Sequence, residues 1–490
     1  MAESTRRTLR FALERGERIP DLAPLGLRVV APPAPPSLFE TTFHDTADLR
    51  LARWGSTLTF RAGEGWTVEL PDPDGEPRAV GRRLGGDGDV VPSDALRLTR
   101  SFSRGALVRP LASLRSSRRT YRLIDASGGL LAELHEDAVI VRRDAGPASG
   151  FRELEVQFVA DGERADDLAA ALRRDIGDAI GTRLARVLGP RAVEPSDVPA
   201  VSLGDDATAE ELLVSELSAA VRRFILHAPI AVEGVDPEGV HQTRVAVRRF
   251  RSYLQTFRSV LDEEWSEALR ADLRLLANMF GEVRDSDVLI DRLTGMGDQL
   301  PVEDGSMVDK IVVRRLGDRH VARARLLHFF EQPEYLALLD RMVEGAVNPR
   351  LLDNASEPAF EALRPMVAKR WHKLRKTVEA LDDPPADEQL HAVRLLAKRA
   401  RYAAEAVEPV AGKAASSFAS AAAELQEVLG AHQDAVVGQH WLRDEFRNGD
   451  PDLSFVVGEL AGLERSTAER TRAEWTAAWD RVRKRSKWLR

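Results

Sequence analysis

From the start of the chain to about residue 190, apolar residues fall in short runs that alternate with polar ones. The runs 27–31, 37–44, 57–61, 66–70, 120–124, 138–141 and 153–159 therefore predict strands. Turn-forming clusters such as Pro71-Asp72-Pro73-Asp74-Gly75 and Gly85-Gly86-Asp87-Gly88 lie between them, as an antiparallel meander requires. Over 165–188 the period changes, with Leu168, Leu172, Ile176, Ile180 and Leu184 spaced as on one helix face. Residues 189–206 hold Pro190, Pro195 and Pro199 and little periodicity, so they predict a connection between domains. Beyond it, helical periodicity covers about 208–228, 239–260, 263–282, 306–330, 358–380, 388–408, 414–429 and 454–488. The fold class is thus α+β: a β-rich domain over 1–190, a linker over 191–206, and an all-α domain over 207–488. Mostly short loops in the helical part suit one bundle or a pair.

Composition narrows the function classes. The 490 residues are 43% hydrophobic, enough for sizeable cores, which excludes wholesale disorder. Asp plus Glu (78) outnumber Lys plus Arg (70), giving a net charge of −8, so a surface basic all round is excluded. The absence of cysteine removes disulfides, thiol catalysis and Cys-ligated zinc. The segment 1–20 is dense in Arg and Glu and has no apolar stretch of a secretion signal, and no run is long enough to span a membrane. A soluble cytoplasmic protein with no membrane partner is the expectation.

The helical half carries an internal repeat. His241-Gln-Thr-Arg244-Val-Ala-Val-Arg248-Arg249-Phe-Arg251 aligns without gaps on His391-Ala-Val-Arg394-Leu-Leu-Ala-Lys398-Arg399-Ala-Arg401. About 40 residues after each histidine, Gly281-Glu-Val-Arg284-Asp285 echoes Gly430-Ala-His432-Gln433-Asp434. At helical pitch His241, Arg244, Arg248, Arg251 and Arg258 share an arc of roughly 100°, and Ala246, Phe250 and Phe257 face away, with Val247 and Leu254 towards the edge. His391, Arg394, Lys398 and Arg401 form the second stripe, opposite Val393, Leu396 and Ala400, with Ala397 and Ala404 at the boundary. No acid occurs in 241–258 or 390–404. A lone charged stripe is ordinarily a solvated face, and a lone helix-terminal histidine is ordinarily structural. Recurrence at equivalent places argues instead for a shared site. Further cations lie at Arg222, Arg223, Lys369, Arg370, Lys373, Arg375 and Lys376, and in Arg481, Arg483, Lys484, Arg485, Lys487 and Arg490. Such mutually repelling charges are poised for a multivalent anion, and Arg suits bidentate contact with phosphate oxygens. Asp285, Asp287, Asp434 and His432 match no metal-ligand spacing, and helix caps or ion pairs to the basic helices are the preferred reading.

These paired motifs resemble the CHAD domain (conserved histidine α-helical domain) over about residues 206–488. The resemblance implies two four-helix bundles related by a pseudo-two-fold axis, repeats at about 207–345 and 355–488, and a basic cavity that binds inorganic polyphosphate. It implies association with polyphosphate granules as well. His241, Arg244, Arg248, Arg251, His391, Arg394, Lys398 and Arg401 would then be phosphate ligands. Arg249 and Arg399 lie about 80° off the stripes and, with Arg222, Arg223, Lys369, Arg370, Lys373 and Lys376, complete the candidate set.

Residues 4–190 resemble the CYTH domain, a triphosphate tunnel fold, and so imply an antiparallel β-barrel. The supporting text runs from Ile19-Pro20-Asp21-Leu22 through Thr42–Leu51, Leu58-Thr59-Phe60-Arg61, Trp66–Pro71 and Arg115-Ser-Ser-Arg118-Arg119 to Arg152-Glu153-Leu154-Glu155-Val156-Gln157. Active members open with Glu-x-Glu-x-Lys, whose acids help hold a catalytic divalent metal. The aligned residues here are Arg6, Thr8 and Arg10; Glu69 replaces a tunnel Lys, Thr59 an Arg, and Gln157 the third acid of the late run. The domain is therefore read as a non-catalytic relative, with no catalytic residue, metal or cofactor. Its remaining cations Arg61, Arg118 and Arg119 leave open a scaffold, an anion groove or a partner surface. The expected activity is polyphosphate binding. The alternatives are a metal-dependent triphosphatase or polyphosphatase using Glu136, Asp137, Glu153 and Glu155, and a nucleic-acid-binding helical protein. The last is disfavoured because no row of exposed aromatics interleaves with the stripes.

Overall fold

The computed structural model describes residues 7–489 apart from 15, 32–34, 74–78, 87, 89, 144–147, 160–161, 178–182, 205 and 447–450. The chain divides into two units, Met1–Asp197 and Val198–Arg490.

The first unit is a curled antiparallel sheet. Its strands are β1 (Thr8–Leu13), β2 (Arg28–Val30), β3 (Ser37–Asp45), β4 (Thr57–Arg61), β5 (Gly65–Pro71), β6 (Ala79–Leu84), β7 (Arg109–Ile124), β8 (Leu130–Arg143) and β9 (Ser149–Phe158). They lie in the order β1-β9-β8-β7-β3-β4-β5-β6, with β2 on β7. This is a half-barrel: among the described residues no pairing joins β1 to β6, and the end strand β6 bears Arg82 and Arg83, charges that discourage edge-to-edge pairing. Strand alternation sorts the two faces. One puts Phe11, Leu13, Leu123, Leu134, Leu154 and Val156 against Leu168, Ala169 and Leu172. The opposite face carries Phe43, Leu114, Val139 and Val141 against Leu184 and Val187. The helices are α1 (Arg50–Arg53), α2 (Ser93–Ser103), α3 (Glu163–Ile176) and α4 (Leu184–Leu188). The helix expected over 165–188 stops at Ile176, because Gly177 adopts φ 110°, and resumes as α4; Ile180 lies outside the described residues. β7 and β8 are far longer than their expected runs, since arginines on β7 hide the alternation.

The second unit is helical: α5 (Ala209–Glu233), α6 (Pro237–Thr256), α7 (Glu263–Gly297), α8 (Gly305–Glu331), α9 (Pro333–Val347), α10 (Ala359–Glu379), α11 (Asp387–Glu445) and α12 (Pro451–Arg485). Local chemistry sets the starts. Thr208 and Glu211 form a capping box on α5. Asp236 caps α6 ahead of Pro237 at the first helical position, and Asp262 accepts the Trp265 N–H at 2.7 Å to start α7. Helix α9, unexpected from periodicity, starts on Pro333 in the same way. α7 runs through Gly281 to Gly297 instead of stopping near 282, and α11 continues to Glu445 past a break at Gly412 (φ 59°, ψ −145°). α6 packs on α5 and α7, α11 on α10 and α12, and α6 meets α11. Phe224, Phe280, Phe330 and Tyr335 interlock in one part of the core, and Trp371, Phe418 and Trp479 in another.

A cationic track on α6 and α11, and a neutralised cluster on the sheet

Helix α6 buries Val240, Ala246, Val247, Phe250 and Leu254. Val247 and Leu254, expected at the edge, are fully covered. That leaves His241, Arg244, Arg248 and Arg251 half-buried along one face. Helix α11 buries Leu390, Val393, Ala397 and Ala400 and leaves His391, Arg394, Lys398 and Arg401 half-buried.

The α6–α11 packing brings residues of both stripes together. Arg248 is pushed below its ordinary pKa by burial, and also by Arg244 from its own helix and Arg394 and Arg401 from α11, against the Tyr402 hydroxyl. His241 is likewise lowered by burial and by Arg284, Arg244 and Arg248, against Glu238. The recurring glycines have a physical role here. A Cβ on Gly281 would lie 3.8 Å from the Arg244 guanidinium, and one on Gly430 would lie 3.6 Å from Arg394. Each arginine thus rests over a glycine of the next basic-motif helix segment, and any side chain larger than Ala would displace it.

The remaining candidates have distinct surroundings. Arg249 turns towards Glu405 at 3.5 Å, and Arg401 donates to the same carboxylate at 2.7 Å and to Gln426 at 3.4 Å. Behind them burial raises Glu216, which accepts a hydrogen bond from Tyr253. Arg222 donates to the Val198 carbonyl at 2.6 Å and Arg223 to Gln242 at 2.7 Å. Arg370 reaches the Gln255 carbonyl at 3.4 Å, and Arg399, Lys369, Lys373 and Lys376 are exposed. Arg375 pairs with Glu379 at 3.6 Å. In the closing segment Arg481 pairs with Glu424 at 2.6 Å and Arg483 with Asp480 at 3.0 Å, while Arg490 lies outside the described residues.

The acids near the track are engaged with arginines. Asp285 meets Arg244 at 3.0 Å and Asp287 pairs with Arg319. Burial raises Asp434 against the pull of Arg394, Arg292 and Arg244. His432 is buried, its Nε2 2.9 Å from Asp387 and its Nδ1 3.1 Å from the Ala468 carbonyl. Among the described residues no three acids or histidines gather as metal ligands would. Arg284, part of the recurring motif, lies near His241, and Arg270 and Arg274 of α7 belong to this neighbourhood without a sequence signal, because α7's pattern is dominated by its core residues.

On the sheet, register places Arg10 opposite Glu155, Glu153 opposite Asp137, and Asp137 opposite Arg118. Arg10 donates to Glu155 at 2.9 Å, and Arg118 grips Asp137 through two bonds of 2.8 and 2.6 Å. Arg183, at the start of α4, reaches Glu153 and, at 3.3 Å, Asp137. Burial alone would raise Glu155, but Arg10, Arg118 and Arg183 outweigh it and hold the carboxyl at about 2. For Glu153 burial wins and the pKa is raised despite Arg183 and Arg10. Glu69 accepts from Thr57 at 2.9 Å. Arg61 lies over the Phe39 ring at 4.1 Å with Arg118 5.4 Å from the same ring. Of the altered motif, Thr8 and Arg10 lie on β1 and Arg6 falls outside the described residues.

Comparison with known proteins gives one family match: the CHAD domain model matches residues 215–443. An uncharacterized protein of Mycobacterium tuberculosis (strain CDC 1551 / Oshkosh) is 30% identical over 475 residues, covering 91% of this chain and 90% of its own. An uncharacterized protein of the strain ATCC 25618 / H37Rv matches with the same identity and coverage. Among solved structures, PptA from Streptomyces chartreusis is 22% identical with a TM-score of 0.46, covering 56% of this chain and 100% of its own. The CHAD domain from the plant Ricinus communis is 28% identical with a TM-score of 0.46, covering 59% of this chain and 96% of its own.

Proposed function

The chain belongs to the CHAD-domain family, and from that premise we propose that it binds inorganic polyphosphate along the track between α6 and α11. The observation that carries the reading is Arg248. It sits half-buried among Arg244, Arg394 and Arg401, contributed by two helices far apart in sequence, and among the described residues it forms no ion pair. Clustered guanidiniums repel one another, so an anion that spans several of them is favoured over one that meets a single charge. Phosphoryl oxygens accept bidentate contacts from arginine, and a linear polyphosphate offers them at every unit. The halves about 207–345 and 355–488 are read as a duplicated unit with pseudo-two-fold symmetry, supported by the matching Arg244–Gly281 and Arg394–Gly430 contacts. Polyphosphate granules are the proposed cellular setting.

The first unit we read as a degenerate CYTH tunnel domain that does not hydrolyse phosphate. Three guanidiniums face three carboxylates at close range: Arg10, Arg118 and Arg183 against Glu155, Asp137 and Glu153. A divalent cation would have to displace these arginines and leave them buried without counter-charge. The experiment measures polyphosphate affinity with phosphate release followed in the same samples, with and without Mg²⁺ and Mn²⁺. Tight binding that Arg248→Gln/Lys398→Gln abolishes, with no release, is the expected result. Metal-dependent release would restore the triphosphatase reading, and intact binding in the variant would remove the track.

A further inference from the structure

A second group of arginines collects where α6 ends. Helices α6 and α7 are joined by the short segment 257–262 and pack together, so they run antiparallel. The start of α7 therefore lies beside the end of α6. Gly281 and Asp285 meet Arg244, whereas Arg270 and Arg274, two to three turns earlier, fall beside Arg251. Helix α10 adds Arg370, hydrogen-bonded to the Gln255 carbonyl at 3.4 Å, and Arg370 senses Arg258, Arg270 and Arg399 of α11. Six arginines thus converge: Arg251, Arg258, Arg270, Arg274, Arg370 and Arg399. Among the described residues their ion pairing is confined to Arg270 with the exposed Glu267, and the buried Nε of Arg251 has no partner. Cations at a helix C-terminus are ordinarily favourable, which accounts for Arg258 and Arg370. It does not account for Arg270 and Arg274, which lie near the N-terminal end of α7.

We propose that this group is a second anion station, continuous with the first along α6, and that it makes the site select polyphosphate by chain length. The inference rests on the polyphosphate reading above. From His241 to Arg251 the helix rises about 15 Å, and Arg258 lies beyond its end. A chain long enough to leave the first station enters the second at high effective concentration, whereas a short oligomer is held by the first alone.

The test is calorimetric binding of tripolyphosphate and of long-chain polyphosphate to the full chain, at several salt concentrations, for wild type and Arg270→Gln/Arg274→Gln. Long-chain affinity should fall on the order of tenfold or more, with a salt slope shallower by about two, and tripolyphosphate affinity should stay within about twofold. A single Arg274→Glu change at an exposed position should act in the same direction and guards against misfolding of the double variant. Equal losses for both lengths, or no loss for the long chain, would overturn the second station and leave polyphosphate binding standing. A wild type that binds polyphosphate of neither length would instead remove the proposed function.

Discussion

Glu155→Gln tests the self-neutralised cluster on the sheet. Gln keeps the shape of the side chain and removes the charge that Arg10, Arg118 and Arg183 share. In the folded protein Glu155 is held at about 2 against an ordinary 4.5, which is worth on the order of 3 kcal/mol. Loss of one partner from a buried pair, about 3–5 kcal/mol, agrees in size. The sign follows from a folded pKa below the unfolded one. The stabilisation is complete above about pH 4.5 and is lost as the pH falls through about 2. At pH 3 less than about half of it should remain, so the gap between wild type and variant narrows. The Glu155 charge also raises its neighbours Glu153 and His135, so its removal shifts both downward and belongs to the measured difference. Urea-dependent hydrogen exchange, read on peptides from β1 and β9 and referenced to unstructured rates at each pH, isolates this sheet from the helical unit. Equal stability at pH 7, or a gap that does not shrink at pH 3, would refute the argument.

Two further outcomes concern the helices that carry the track. A Cβ on Gly239 would lie 2.5 Å from the Ala231 nitrogen and 2.6 Å from the Ile230 carbonyl carbon, so Gly239→Ala should force α6 away from α5. A cost of about 1–3 kcal/mol is expected, measured as a lowered denaturation midpoint of the helical unit, with polyphosphate binding weakened as α6 shifts. Asp285→Asn frees Arg244 from a carboxylate at 3.0 Å that is itself largely exposed. An exposed pair is worth about 0.2–1 kcal/mol, so polyphosphate should bind a few-fold more tightly by calorimetry, and unchanged or weaker binding would place Arg244 outside the ligand's reach.

Seven of the nine strands, at least in part, and most of the long helices were legible because alternation and four-residue spacing are local properties, whereas β1, β6 and α2 were not expected. The failures have local causes as well. Gly281 looks like a helix end, yet it lies inside α7, where its missing side chain makes room for Arg244. Pro333 looks like a break, yet proline at the first turn begins α9. β7 carries Arg115, Arg118, Arg119 and Arg122, and this polar text conceals a strand of 16 residues. The stripes on α6 and α11 were visible because each lies within one helix and recurs. The contribution of α7 was not, because Arg270 and Arg274 alternate with the buried Leu269, Leu273 and Leu276 as any solvated residues would.

The sheet and the helices differ in where their carboxylates lie, which depends on tertiary packing. On the sheet Arg183 comes from α4, with no motif to mark it, and completes a set in which each guanidinium meets an acid. On the helices Glu405 takes up Arg249 and Arg401, while the half-buried Arg248 and Arg251 meet none among the described residues. The same residue type is therefore used in two ways within one chain. Paired arginines stabilise a fold, and their attraction is already satisfied. Unpaired, partly buried arginines cost stability through desolvation and mutual repulsion. Keeping such arginines on α6 carries a standing penalty that a multivalent anion would remove. Anion binding should accordingly raise the stability of the helical unit while leaving the sheet's unchanged.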